Sequence, residues 1–224
     1  MEESTSREKV LKKVRDALIE KTGPPYPVLD QESPIYAEMT EPLDVTFAGE
    51  LIKISGKFVY CESTDEFHSV LKSFILEKEW PLLFCGDPAI QHLLRSAGIP
   101  FESDHASMLD SQIGITGCEY LIARTGSVMV STKMNPGRKI VVYPGIHLVV
   151  GFTSQLVPDL KQALQGIRKK YQNQFPSMIS LITGPSRTAD IEKTIVMGAH
   201  GPKDFYVFLI DDTETGHQPQ PMHE

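Results

Sequence analysis

Ser186, Arg187 and Thr188 follow a Gly184-Pro185 turn at the end of an apolar run, and residue types in that order suit the binding of an anion. Residues 181–192 read as the end of a buried strand, a tight turn and the start of a helix. The first backbone N–H groups of a helix lack partners within it, and the helix dipole adds partial positive charge there. Ser186 and Thr188 can add hydroxyl donors, and the Arg187 guanidinium can fork onto a carboxylate or phosphate. The same residues also describe an ordinary capped helix, with Ser186 as N-cap and Arg187 in water.

The elements that must position this junction follow from periodicity. Residues 7–21 carry Val10, Leu11, Val14, Leu18 and Ile19 at helical spacing, and Gly23-Pro24-Pro25 stops that helix. Residues 24–42 are proline-rich and form a linker or wrapping arm. The body begins near Asp44, with short strands expected at 51–54 and 57–61 and a helix opened by Thr64 and Asp65. A strand at 81–85, a helix at 88–97 and an extended 99–101 continue an α/β rhythm. Residues 128–131, 139–143 and 147–151 read as three strands joined by tight turns, which makes them antiparallel neighbours and the sheet mixed, though mainly parallel. A helix to about Tyr171, the strand near Leu181, a helix running to Met197 and closed by Gly198, and a last strand at 205–210 complete the pattern. This divides the chain into a helical arm (1–42), an α/β domain (43–212) and a loose tail (213–224).

Composition removes several function classes. The 224 residues, 41% of them hydrophobic, suffice for one substantial core plus an arm. A net charge of -7 gives no basic footprint for nucleic acid, and no apolar run is long enough to span a membrane. Cys61, Cys85 and Cys118 stand far apart and form neither a disulfide framework nor a cluster or zinc motif. The opening residues lack a secretory pattern, so a reduced, cytoplasmic setting is expected. The amphipathic first helix needs a surface to cover its stripe, either its own domain or a second subunit of a homodimer.

The block Gly-Ile-Thr-Gly-Cys-Glu-Tyr-Leu-Ile-Ala-Arg-Thr-Gly-Ser at 114–127 resembles one hallmark of the LUD (lactate utilisation) domain family, of the LutC/YkgG kind. Ile-Thr-Gly-Pro-Ser-Arg-Thr-Ala-Asp-Ile-Glu at 182–192, with Gly-Ala-His-Gly-Pro at 198–202, resembles the other. Lys-Val-Leu-Lys-Lys-Val-Arg-Asp-Ala-Leu at 9–18 is similar to the family's N-terminal helix. The resemblance implies an α/β fold of the NagB/RpiA/CoA-transferase-like type. It also implies a part in oxidising L-lactate to pyruvate, as one component of a three-protein cytoplasmic system whose other two members are iron–sulfur proteins.

Transferred residue by residue, the resemblance gives a candidate ligand cleft of Thr116, Gly117, Thr125, Gly126, Ser127, Gly184, Ser186, Arg187 and Thr188. In open α/β sheets such loops gather beyond the carboxyl ends of the strands. Asp190 either orients Arg187 or favours the positive end of a helix, and His200 either serves in proton transfer or fixes its own turn. These two are the catalytic candidates, while His147, within an apolar strand, reads as a core residue. Arg124 stands where the family usually carries an acid, which counts against a covalent acyl mechanism through that position. Two readings remain: a non-cluster subunit that binds a small anionic metabolite or cofactor, and a stand-alone sugar-phosphate isomerase-like or acyl-CoA-type enzyme on the same fold. The residues name no cofactor and assign no reaction to this chain alone.

Overall fold

The structure, a computed structural model, describes residues 5–19, 36, 38–104, 106, 108, 111–134, 139–191, 194–198 and 200–213. The chain divides between Glu38 and Met39 into two units. In the first, α1 (Ser6–Ile19) opens with a reciprocal cap. The Glu8 carboxylate accepts from the Thr5 N–H at 2.8 Å, and the Thr5 hydroxyl accepts from the Glu8 N–H at 3.4 Å. None of its residues is buried.

The second unit is built on six parallel strands: β1 (Lys57–Cys61), β2 (Leu83–Cys85), β3 (Phe101–Glu102), β4 (Ile113–Thr116), β7 (Ile146–Phe152) and β12 (Asp204–Ile210). They lie in the order β1-β12-β7-β4-β2-β3. The interior strand β12 is an almost continuous apolar run because both of its faces are covered. Its alternate residues go opposite ways. Tyr206, Phe208 and Ile210 meet the helices α3 (Thr64–Glu77) and α4 (Pro88–Ser96) through Phe67, Leu71, Ile90 and Leu94. Phe205, Val207 and Leu209 meet Phe47 and Leu51 of α2 (Leu43–Lys53), together with Leu121, Val128 and Val130 of a second sheet.

That second sheet has β5 (Tyr120–Ile122), β6 (Ser127–Ser131), β8 (Leu156–Val157) and β9 (Ile179–Ile182) in the order β8-β5-β6-β9. Here β6 is antiparallel to both its neighbours, and β8 runs parallel to β5. Ala163 and Ile167 of α5 (Leu160–Tyr171) cover its outer face through Ile122 and Met129. A hairpin of β10 (Arg187–Ile191) and β11 (Thr194–Met197) forms a separate pair.

The mainly parallel α/β architecture read from the sequence therefore stands, with three local corrections. Residues 51–54 end helix α2 rather than forming a strand, because Phe47 and Leu51, four apart, are the two side chains the helix buries. Residues 139–143 form a turn in which the Val142 and Tyr143 N–H groups both donate to the Lys139 carbonyl at 2.9 Å. The expected three-strand meander thus separates: β6 belongs to the second sheet, and β7 is parallel to β4 and β12 in the first. The helix expected after Ser186 is the β10–β11 hairpin. Thr188, Ile191, Thr194, Ile195 and Val196 make this stretch rich in β-branched residues, which favour strand over helix. Gly198 follows a strand at φ 78° and closes no helix.

Candidate functional site

Thr116 ends β4 with its hydroxyl 2.9 Å from His147 Nε2, and both side chains are fully buried. Burial pushes the His147 imidazole down to about 3, so it is neutral in the core. The next residue, Gly117, donates its N–H to Asp87 Oδ2 at 3.2 Å. The other oxygen of Asp87 caps α4 by accepting from the Ala89 N–H at 3.0 Å. Burial raises the Asp87 carboxyl above its ordinary value, against the hydrogen bonds from Ala89 and Gly117. A Cβ at position 117 would lie 2.9 Å from Asp87 Oδ2 and 3.3 Å from Met134 Cε. The close approach that glycine permits here is taken up by Asp87 and Met134.

The rest of this block turns toward helix α2. Ala123–Thr125 form a single 3₁₀ turn that ends on Gly126 at φ 59°. A Cβ on Gly126 would stand 2.3 Å from the Leu51 nitrogen, so only glycine lets α2 cross this turn. Gly184, at φ 77°, meets the same helix where its last turn ends, with a would-be Cβ 2.6 Å from the Ile54 carbonyl oxygen. The buried Ser127 hydroxyl lies 2.9 Å from that of Thr183, tying the two motif blocks together. Thr125 is exposed beside them. The helix end that reaches Gly184 is a C-terminus, whose partial charge is negative. The anion-binding helix N-terminus expected after Ser186 does not exist, and positive charge at this loop comes from side chains.

Ser186 forms a backbone clasp with the second motif. Its N–H donates to the Pro202 carbonyl at 2.8 Å, and its carbonyl accepts from the Gly198 N–H at 2.9 Å. Gly201 packs against the Ser186 side chain, a would-be Cβ falling 3.1 Å from Ser186 Cβ. Arg187 and His200 are both exposed at this clasp. Thr188 and Asp190 lie on the β10 backbone, and their side chains fall outside the described part of the structure.

Thr125, Gly126, Ser127, Gly184, Ser186, Arg187 and His200 are thus linked in one neighbourhood through α2, the Ser127–Thr183 hydrogen bond and the clasp. Thr116 and Gly117 belong elsewhere. The clasp precedes β12, whose Asp204 is in register with Ile146, whereas Thr116 is in register with Val149. Three residues of strand separate those levels by about 10 Å. The clasp therefore lies at the amino edge of the parallel sheet, while Thr116 and Gly117 lie at its carboxyl edge with Asp87.

A polar cluster that sequence reading left unassigned surrounds Glu119, whose side chain is fully enclosed. Its Oε1 accepts from Tyr171 Oη at 2.7 Å and from Ser131 Oγ, and its Oε2 accepts from Lys170 Nζ at 2.8 Å. Burial lowers and the Glu119 hydrogen bond raises the Lys170 ammonium, which ends above its usual value. Burial and the same carboxylate raise the Tyr171 phenol. Glu119 is therefore committed to holding α5 on the second sheet. The Arg124 backbone N–H donates to the Pro158 carbonyl at 3.1 Å. The one legible signal for the polar interior was Asp87-Pro88, a cap residue followed by a first-turn proline. Glu119, Ser131, Lys170 and Tyr171 are spread over 53 residues and carried no local signal. Among the described residues no group of three or more His, Cys, Asp or Glu side chains could hold a metal ion, and no helix is long and apolar enough to cross a membrane.

An open parallel sheet with α3 and α4 on one face and α2 with a second sheet on the other places the chain among α/β proteins. The LUD domain model matches residues 46–210, and the chain belongs to that family. It is similar to Lactate utilization protein C of Macrococcus caseolyticus strain JCSC5402, 29% identical over 212 residues that span 82% of this chain and 91% of that one. Lactate utilization protein C of Bacillus subtilis strain 168 is 28% identical over 173 residues, covering 73% of this chain and 66% of the relative. A crystal structure of a DUF162 family protein from Deinococcus radiodurans shares the fold, with a TM-score of 0.56 at 14% identity over 75% of this chain and 96% of that one.

Proposed function

We propose that this chain takes part in lactate utilisation, as a non-cluster subunit of a cytoplasmic L-lactate-oxidising system whose iron–sulfur partners carry the electrons. The names of its two relatives, both aligned over most of this chain, support the pathway role. Its cysteines support the division of labour: all three are buried and free, and burial pushes the thiols up, to about 11 for Cys61 and about 12 for Cys85. Thiols enclosed singly in this way are not poised to ligate a cluster.

The observation that carries the site assignment is the clasp. Backbone hydrogen bonds of Ser186 fix the 182–192 and 198–202 motifs against each other while leaving Arg187 and His200 at the surface. Arg187 supplies the fork for a small carboxylate, and His200 stands near as a donor to the substrate oxygen. Thr188 and Asp190 follow on the same strand and complete the proposed site with the exposed Thr125, while the buried Ser127 hydroxyl ties the loop to Thr183.

The test is a thermal-shift and calorimetric titration with L-lactate, pyruvate, a sugar phosphate and a CoA ester, repeated on Arg187→Ala. A ligand at 100 times its dissociation constant adds about 2.7 kcal/mol to folded stability. The expected result is a shift with lactate or pyruvate that weakens in Arg187→Ala by about 1.5–3 kcal/mol of binding. A shift only with the sugar phosphate or CoA ester favours the stand-alone enzyme. Lactate binding unchanged in the variant removes the clasp from the site.

A further inference from the structure

The imidazole of His147 is fully enclosed, yet among the described residues only one of its two nitrogens has a hydrogen-bond partner. The ring lies between the two sheets. Val149, two residues further along β7, packs against the second sheet, and side chains two apart on a strand share a face. Register places Gly114 of β4 and Phe205 of β12 beside His147, and Thr116 beside Val149. The ring therefore reaches diagonally across to β4, where Nε2 lies 2.9 Å from the Thr116 hydroxyl oxygen. Its other side leans on the Phe205 ring, with centroids 5.5 Å apart. Nδ1 is buried and meets no donor or acceptor of the protein.

Counting hydrogens shows that this pair cannot satisfy itself. A neutral imidazole has one N–H and one bare nitrogen, and a threonine hydroxyl has one hydrogen. The pair thus holds two polar hydrogens, and only one of them can lie between Nε2 and Oγ1. The Thr116 hydroxyl makes no second hydrogen bond among the described residues. If Nε2–H donates to Thr116, the hydroxyl hydrogen is stranded and the bare Nδ1 with it. If the hydroxyl donates to Nε2, the ring hydrogen sits on Nδ1 and is the single group left over. An enclosed donor without an acceptor carries its full desolvation penalty, so the second arrangement is the better one, and one acceptor completes it.

The surroundings limit what that acceptor can be. A Cβ on Gly114 would fall 2.8 Å from Pro144 Cγ and 3.2 Å from Ile140 Cγ1, so the 139–145 turn closes over the strand residue beside His147. The side chains that register and this turn bring near the ring, Phe205, Val149, Pro144 and Ile140, are apolar and accept nothing. We propose that His147 and Thr116 form an internal binding site for one long-lived water molecule, held between the sheets on Nδ1–H while the Thr116 hydroxyl donates to Nε2. The hydrogens of the water go to backbone carbonyls, each of which keeps a second lone pair beyond its ladder bond. A single enclosed water does not replace bulk hydration, so the ring stays neutral.

Nuclear magnetic resonance of the full wild-type chain, labelled with nitrogen-15 in its histidines, tests this without any variant. Long-range proton–nitrogen correlations should find the His147 ring hydrogen on Nδ1, slow to exchange and with a nuclear Overhauser contact to water. A ring hydrogen on Nε2 overturns the proposal, as does an Nδ1–H that shows no contact to water. Oxygen-17 relaxation dispersion, which counts long-lived internal waters, gives a second reading. The count should fall by one in His147→Leu and stay at the wild-type value in Thr116→Val, which leaves Nδ1 untouched. Near-ultraviolet circular dichroism identifies the variants that keep their tertiary packing. An unchanged count in folded His147→Leu overturns the proposal, and so does a crystal structure that packs Nδ1 against protein atoms alone. Should His147→Leu fail to fold, the wild-type tautomer and water contact decide the matter by themselves.

Discussion

Glu119 and Arg187 both lie in the hallmark blocks of this chain, and their surroundings are opposites. The Glu119 carboxylate is enclosed and takes hydrogen bonds from Ser131, Tyr171 and Lys170, while Thr116, three residues before it, is buried against His147. Arg187 and His200 stand exposed at a joint held by the backbone of Ser186. The first block spends its polar groups on internal partners, because an unpaired group there would cost a full desolvation penalty. The second block secures its geometry with main-chain bonds, so its side chains need not hold the fold. A motif can thus mark either architecture or chemistry, and burial separates the two.

Four experiments press on this contrast, in order of expected effect. Gly126→Ala places a Cβ 2.3 Å from the Leu51 nitrogen in a left-handed backbone, and should cost on the order of 3–5 kcal/mol in urea unfolding. A loss under 1 kcal/mol, about a fivefold change in the folding equilibrium, would mean that α2 does not rest on the turn.

His147 predicts an acid sensitivity of similar size. Burial holds the folded imidazole down to about 3, below its ordinary 6.5, so the unfolded chain takes up the proton first. Stability therefore falls as pH drops from about 6.5 toward 3, by up to about 4–5 kcal/mol from this residue. His147→Gln removes the titration, and its stability should decline less steeply over that window than wild type; parallel curves would place His147 in a solvated setting.

Glu119→Ala strands the Ser131 and Tyr171 hydroxyls and should cost about 3 kcal/mol. Lys170→Ala takes the counter-ion from the enclosed carboxylate but leaves the Ser131 and Tyr171 donors in place, and should cost about 2 kcal/mol. Equal losses would contradict the asymmetry of the pair. Arg187→Ala should move unfolding stability by no more than about 0.5 kcal/mol, as for an exposed residue without a structural role. A larger loss would place Arg187 with the architectural block.

Much of the framework was legible locally. Ser63, Asp87 and Asp159 cap the three helices α3, α4 and α5, each accepting a backbone N–H at its helix start. The apolar run at 205–210 marked the strand β12, and the structure adds that both of its faces are covered. Reading failed where a short segment satisfied two patterns. Residues 51–54 are apolar enough for a strand, yet they continue the period of Phe47 and Leu51 into the end of α2. Residues 187–197 follow a turn and a hydroxyl residue, as a helix start would, but their β-branched content selects a hairpin. The candidate site was half legible. The 182–192 and 198–202 blocks do meet, while Thr116 and Gly117 are drawn to the other edge by β4.

The sequence by itself determined the α/β class, the capped helices, the amphipathic and basic character of α1, and the membership carried by its two motif blocks, because each depends on periodicity or on residues close together in the chain. Tertiary structure alone decided which glycines seat α2, that Glu119 meets Lys170 and Tyr171, and that the Ser186 loop closes against Pro202 rather than opening a helix. Those outcomes depend on parallel pairing between strands far apart in the chain, and strand register, which no local pattern encodes, sets which edge each loop occupies.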